Sequence, residues 1–136
     1  LVEHIRPICL PTTDTLMQEM DLDKDFLVTG WGKTENGTLS DVLREANIKL
    51  KNPQACQQSF LRDIAQSQLC VGDTTRDSCR GDSGGPLAYP EEYLTTQRFV
   101  QFGIVSYGAH ECGNGYPGVY TKLISFMPWI TNILGT

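Results

Sequence analysis

Apolar positions along this chain fall in short runs, broken by Gly, Asn, Asp and Pro. Residues 25–33, DFLVTGWGK, make a β-type run that ends in a Gly-Trp-Gly bend. Residues 43–50, LREANIKL, alternate: Leu43, Ala46, Ile48 and Leu50 are apolar among charged neighbours, with one slip in the period. Residues 98–108, RFVQFGIVSYG, are β-rich and mostly apolar, and residues 118–123, GVYTKL, form another short strand. Frequent short strands between turn signals predict an all-β barrel or sandwich. Two segments carry a helical pattern instead. In residues 52–61, NPQACQQSFL, Asn52 is an N-cap and Pro53 takes the first helical position, which predicts a short helix carrying Cys56. The tail has apolar residues at Ile124, Met127, Ile130 and Leu134, near helical spacing. Pro128 fits such a helix only in its first turn. The tail therefore predicts an amphipathic C-terminal helix on the barrel, with Trp129 and Ile130 as core anchors.

Composition narrows the class of partner. The 136 residues suit one domain, with 40% hydrophobic and 20% charged residues. A net charge of −5 without a basic cluster argues against nucleic acid or an anionic membrane as partner. No apolar run approaches the roughly 20 residues that span a bilayer. The start lacks both a Met and the layout of a signal peptide, so the chain reads as a piece of something longer. The five cysteines, Cys9, Cys56, Cys70, Cys79 and Cys112, form no C-x-x-C pair. Their spacing fits disulfides in an oxidising compartment better than metal binding. Five is odd, so at least one cysteine is free or bonded outside the chain. Residues 36–38, NGT, read either as a hairpin turn or as an N-glycosylation sequon at Asn36. Nothing forms a metal cluster, and no cofactor is implied.

The candidate chemistry lies in residues 77–86, DSCRGDSGGP. A hydroxyl that attacks an amide creates an oxyanion, which needs donors aimed at it in advance. Glycines around Ser83 let the backbone approach a substrate. The N–H groups of Gly81 and Ser83 can then form one small hole, with Cys79 anchoring the loop. Arg80, at the edge of this site, reads either as a repulsive group for basic residues or as a solvated arginine.

GDSGGP resembles the active-serine signature of the chymotrypsin/trypsin-like serine proteases. Five further blocks follow the family's order around it: PICLP, VTGWGKT, GIVSYG, GYPGVYTKL and WITNIL. The resemblance covers nearly the whole chain and is similar in wording to arthropod clip-domain proteases. It implies the second six-stranded antiparallel β-barrel of a two-barrel fold, with a short intermediate helix and a C-terminal α-helix. Residues 1–24 would be an inter-barrel linker carrying Cys9, and residues 25–136 the C-terminal barrel. Ser83 would be the nucleophile, and Gly81 and Ser83 the oxyanion hole. Asp82 resembles the carboxylate that pairs with a new N-terminal amine after zymogen cleavage. Asp77 matches the pocket floor and implies cleavage after Arg or Lys, with Ser78 leaving room beside it. Gly118 matches a pocket wall; Ser106, Tyr107 and Gly108 match the strand that pairs with substrate backbone, and Gly108 is also a wall. By the same resemblance Cys56 pairs with Cys70, Cys79 pairs with Cys112, and Cys9 tethers a regulatory light chain.

The family's AAHC-like and DIAL-like blocks, which carry the base and its orienting acid, do not occur here. His4 and His110 stand in other contexts and read as surface or rim histidines. The first barrel must therefore come from outside these residues, and the chain alone should be nearly inactive. The expected whole is a secreted, extracellular endopeptidase, activated from a zymogen in a proteolytic cascade. Its partners would be protein substrates with Arg or Lys at the cleavage site and protein protease inhibitors. The alternatives are a non-catalytic protease homologue acting as a binding module and a truncated interaction fragment.

Overall fold

The computed structural model describes residues 4–18, 20, 23–72, 81–108 and 115–135. Six strands run β1 (Asp25–Gly30), β2 (Arg44–Lys51), β3 (Gln68–Gly72), β4 (Pro86–Tyr93), β5 (Thr96–Tyr107) and β6 (Gly118–Lys122). They close into a barrel in the order β1-β2-β3-β6-β5-β4, with every neighbour antiparallel. The all-β reading thus holds, as does the six-stranded antiparallel barrel that the resemblance implied. Closure removes the free sheet edges that six short strands would otherwise expose.

Period-2 alternation sets which side chains face inward. Phe26 and Val28 on β1, Ile48 and Leu50 on β2, and Leu69 and Val71 on β3 meet Val100, Phe102, Val105 and Tyr120 in one core. Phe26 and Phe102 pack edge to face with centroids 5.8 Å apart, a geometry that suits the ring quadrupoles. The run at residues 43–50 departs from expectation at its start: Leu43 lies before β2 and is exposed.

The first predicted helix is α2 (Pro53–Phe60), preceded by a one-turn helix α1 (Asp14–Met17) that the apolar pattern did not show. Thr13 caps α1 by accepting from Leu16 N–H at 3.2 Å. Asn52 caps α2 by accepting from Gln54 N–H at 3.1 Å, with Pro53 at its start, as the sequence indicated. The Cys56–Cys70 disulfide fastens α2 to β3. Cys56 Sγ also lies 3.4 Å from the carbonyl oxygen of Gly118, so the start of β6 is backed by this staple.

The tail forms a 3-10 turn (Leu123–Phe126) and then α3 (Met127–Leu134), with Pro128 in its first turn. Leu123 and Met127 are buried and Ile124 and Ile130 half-buried. Trp129 was expected as a core anchor, but it is 65% exposed, and Leu134 also faces solvent. The physical reason is that α3 packs mainly on its own 3-10 turn rather than on the strands, so only its first turn reaches the core. Among the described residues no helix is long and apolar enough to cross a membrane.

Candidate active site

Ser83 lies on the loop that enters β4, and it is exposed. Two backbone bonds fasten this loop to β5: Gly84 N–H donates to Val105 O at 2.9 Å, and Val105 N–H donates to Gly85 O at 2.9 Å. A third bond, from Gly85 N–H to Asp82 O at 2.9 Å, closes a tight turn around the serine. Gly81 has φ +106, a region that residues with a Cβ rarely adopt. A Cβ there would also sit 3.0 Å from Gly32 Cα.

β5 carries a bulge beside the serine. Val105 pairs with Tyr120 and Tyr107 with Val119, leaving Ser106 as the extra residue. Bulges turn a backbone group away from its ladder. Here the Ser106 carbonyl accepts from the Ser83 hydroxyl at 3.4 Å, a long contact that restrains the hydroxyl weakly. Among the described residues the N–H groups of Gly81 and Ser83 have no hydrogen-bond partner. The loop thus carries an exposed serine and, two residues apart, two backbone N–H groups left without a partner among the described residues.

Asp82 points the other way, into the barrel end of β1. Its Oδ1 accepts from Gly32 N–H at 2.7 Å in a half-buried setting. Both glycines of the Gly-Trp-Gly bend are needed for this approach. A Cβ on Gly30 would collide with Asp82 Oδ1, and one on Gly32 would lie 2.6 Å from Asp82 Cγ. Charge-assisted bonds from backbone N–H to carboxylate are about twice as strong as neutral ones. The bond therefore couples β1 to the residue between the two candidate donors. In the sequence Gly30 and Gly32 show only as a bend, because 50 residues separate Gly32 from Asp82.

The remaining candidates sort by position. Ser106 and Tyr107 are the last two residues of β5, and Gly108 follows directly; Ser106 and Gly108 are exposed. Tyr107 packs edge to face on Phe60 at 5.4 Å, and the Arg62 guanidinium lies 5.5 Å from its ring centroid. Gly118 begins β6 and is buried. His4 is exposed. Asp77, Ser78, Cys79, Arg80, His110 and Cys112 lie outside the described residues.

Cys9 has a free, half-buried thiol. Its backbone joins β5 by a parallel bridge to Val100. Cys9 N–H donates to Phe99 O at 3.1 Å, and Gln101 N–H donates to Cys9 O at 2.9 Å. The PICLP segment is thereby fixed along the barrel wall.

A closed six-stranded antiparallel barrel of this order is the fold of a trypsin-like serine protease barrel. The chain belongs to this family, since the Trypsin family model matches residues 1–130. It is 47% identical to the serine protease grass of Drosophila melanogaster over 138 residues, covering 98% of this chain and 37% of that protein. It is 41% identical to the proclotting enzyme of Tachypleus tridentatus, covering 94% of this chain and 34% of the relative. The crystal structure of the Drosophila Grass clip serine protease of the Toll pathway matches it with a TM-score of 0.83 at 47% identity, over 99% of this chain and 39% of that one. The chain thus spans little more than a third of the length of these relatives.

Proposed function

We propose that this chain is the nucleophile-bearing barrel of a secreted serine endopeptidase that cleaves after Arg or Lys. The observation that carries the reading is the exposed Ser83 on a glycine loop whose Gly81 and Ser83 N–H groups have no partner among the described residues. In this scheme Ser83 Oγ attacks the scissile carbonyl carbon and its proton passes to a histidine supplied from outside these residues. The N–H groups of Gly81 and Ser83 receive the oxyanion. The C–N bond then breaks, the leaving amine takes the proton, and water hydrolyses the acyl-enzyme. Asp77 and Ser78 form the floor of a pocket for a basic side chain, with Gly108 and Gly118 as its walls. Ser106, Tyr107 and Gly108 pair with the substrate backbone.

Residues 1–24 serve as the inter-barrel linker and residues 25–136 as the C-terminal barrel. That all six strands fall between Asp25 and Lys122 supports this division. Cys9 bonds to a regulatory chain, Cys79 pairs with Cys112, and Asp82 takes the new N-terminal amine on zymogen cleavage. Likeness to a proclotting enzyme favours an extracellular cascade. Protein inhibitors with a basic residue at the reactive bond would bind the same cleft.

The test uses the activated full-length protein, a fluorophosphonate probe and paired arginyl and phenylalanyl amides. Covalent labelling that Ser83→Ala abolishes, with turnover of the arginyl amide alone, is the expected result. Asp77→Ser should then lose arginyl turnover while retaining the label. Absence of labelling in the wild type would make this a non-catalytic homologue.

A further inference from the structure

The turn joining β1 to β2 holds a side chain that the fold does not use. We infer that Asn36 is an N-linked glycosylation site whose glycan screens one rim of the Ser83 cleft from macromolecules. The screening half of this inference rests on the protease reading above.

Asn in an Asn-Gly turn ordinarily has one of two structural reasons. It tolerates positive φ, or its side chain hydrogen-bonds the local backbone. Neither holds for Asn36. Among the described non-glycine residues only Leu61 and Leu94 have positive φ. The turn closes through other groups: Lys33 bridges Leu39, Thr34 N–H donates to Thr38 O at 2.9 Å, and Gly37 N–H donates to Thr34 O at 2.8 Å. The Thr34 hydroxyl also donates to Thr38 O, at 3.2 Å. Gly37, with φ +78, makes the left-handed step. Among the described residues the side chains of Asn36 and Thr38 have no partner, and both are exposed. What remains is an unengaged Asn-x-Thr at the tip of a turn, with Gly rather than Pro between. The Cys56–Cys70 disulfide indicates an oxidising compartment, the route on which such sequons are read.

The modification balances as a simple transfer. Asn36 Nδ2 forms a bond to the anomeric carbon of an oligosaccharide carried on a lipid pyrophosphate. The anomeric C–O bond breaks, the lipid pyrophosphate leaves with the bonding pair, and the amide gives up one proton. The product needs only solvent around it.

Position gives the glycan its effect. Ser40 N–H binds the carbonyls of Trp31 and Gly32, at 3.3 and 3.2 Å, so the stem of the turn is fixed. That stem backs the serine loop: a Cβ on Gly81 would lie 3.0 Å from Gly32 Cα and 3.4 Å from Leu39 Cδ2. Asn36 stands three residues beyond Lys33, no more than about 10 Å along the chain. A branched sugar rooted there shares the solvent in front of Gly81, where a folded partner must approach but a short peptide need not.

The full-length protein, secreted from eukaryotic cells, provides the test. Peptides spanning position 36 are weighed before and after enzymatic glycan release. A glycan-sized mass on that peptide, removed by the enzyme and absent in Asn36→Gln and Thr38→Ala, is expected. Both variants should hydrolyse an arginyl amide at the wild-type rate. Both should associate with a Kunitz-type protein inhibitor about threefold faster or more, within the range over which association rates vary among related complexes. Recovery of the peptide unmodified would overturn the site, and an unchanged association rate would overturn the screening. Failure of wild type and variants alike to turn over the amide would count against the protease reading, while the mass at position 36 would still decide the site.

Discussion

Replacing Gly32 by alanine sets a methyl group against the Asp82 carboxylate. The added carbon would sit 2.5 Å from Oδ1 and 2.7 Å from Oδ2, where comfortable contact needs about 3.5 Å or more. The carboxylate must retreat by about 1 Å, and the 2.7 Å bond from Gly32 N–H is then lost or stretched. A hydrogen bond to a charged group contributes about 1.5–3 kcal/mol. Gly32 itself does not have positive φ, so the backbone tolerates alanine and the damage falls on Asp82. Asp82 stands between Gly81 and Ser83, so if their N–H groups are the proposed oxyanion donors, moving it mis-aims one of them. Losing one such donor costs about 10²–10³ in kcat, or about 2.7–4 kcal/mol. The expected outcome for Gly32→Ala in the activated full-length protein is a drop of about 10² in kcat on an arginyl amide, with a smaller change in KM. Gly37→Ala is the control. Its Cβ would meet nothing within 4 Å, but its φ is +78, so it should cost about 1–2 kcal/mol of stability and leave kcat intact. Steady-state kinetics and thermal unfolding on both variants separate the effects. Wild-type kcat in Gly32→Ala, or equal losses in the two variants, would refute the argument that Asp82 seating aims the donors.

Two further outcomes bear on stability. Replacing Cys56 and Cys70 together by serine opens a loop of sequence separation 14 and should cost about 3 kcal/mol. An unchanged thermal midpoint would mean that packing alone holds α2, through Ala55, Phe60 and Ile64. Leu61 caps α2 in the left-handed region at φ 52 while almost fully exposed, so Leu61→Gly should stabilise by about 1 kcal/mol. A fall in the urea midpoint would show that Leu61 contributes something its exposure conceals.

Local chemistry decided much of this protein before any folding. Alternation at Ile48 and Leu50 assigned the buried face of β2, and Asn52-Pro53 determined where α2 starts. The resemblance of GDSGGP to the family's active-serine signature made Ser83 the candidate nucleophile. These signals are readable because each depends on residues within one turn or one pleat. Three features have no such signature. The Ser106 bulge arises from how β5 and β6 fit around a closed barrel. The exposure of Trp129 depends on what α3 rests against, which periodicity does not report. The seat for Asp82 needs Gly30 and Gly32, which only barrel closure brings beside it. Sequence determined β1, β2, β5 and β6, the α2 cap and the candidate serine loop because those signals are local. Tertiary structure alone decided where the Asp82 carboxylate rests and which way the Ser106 carbonyl turns, because both depend on backbones meeting across the barrel.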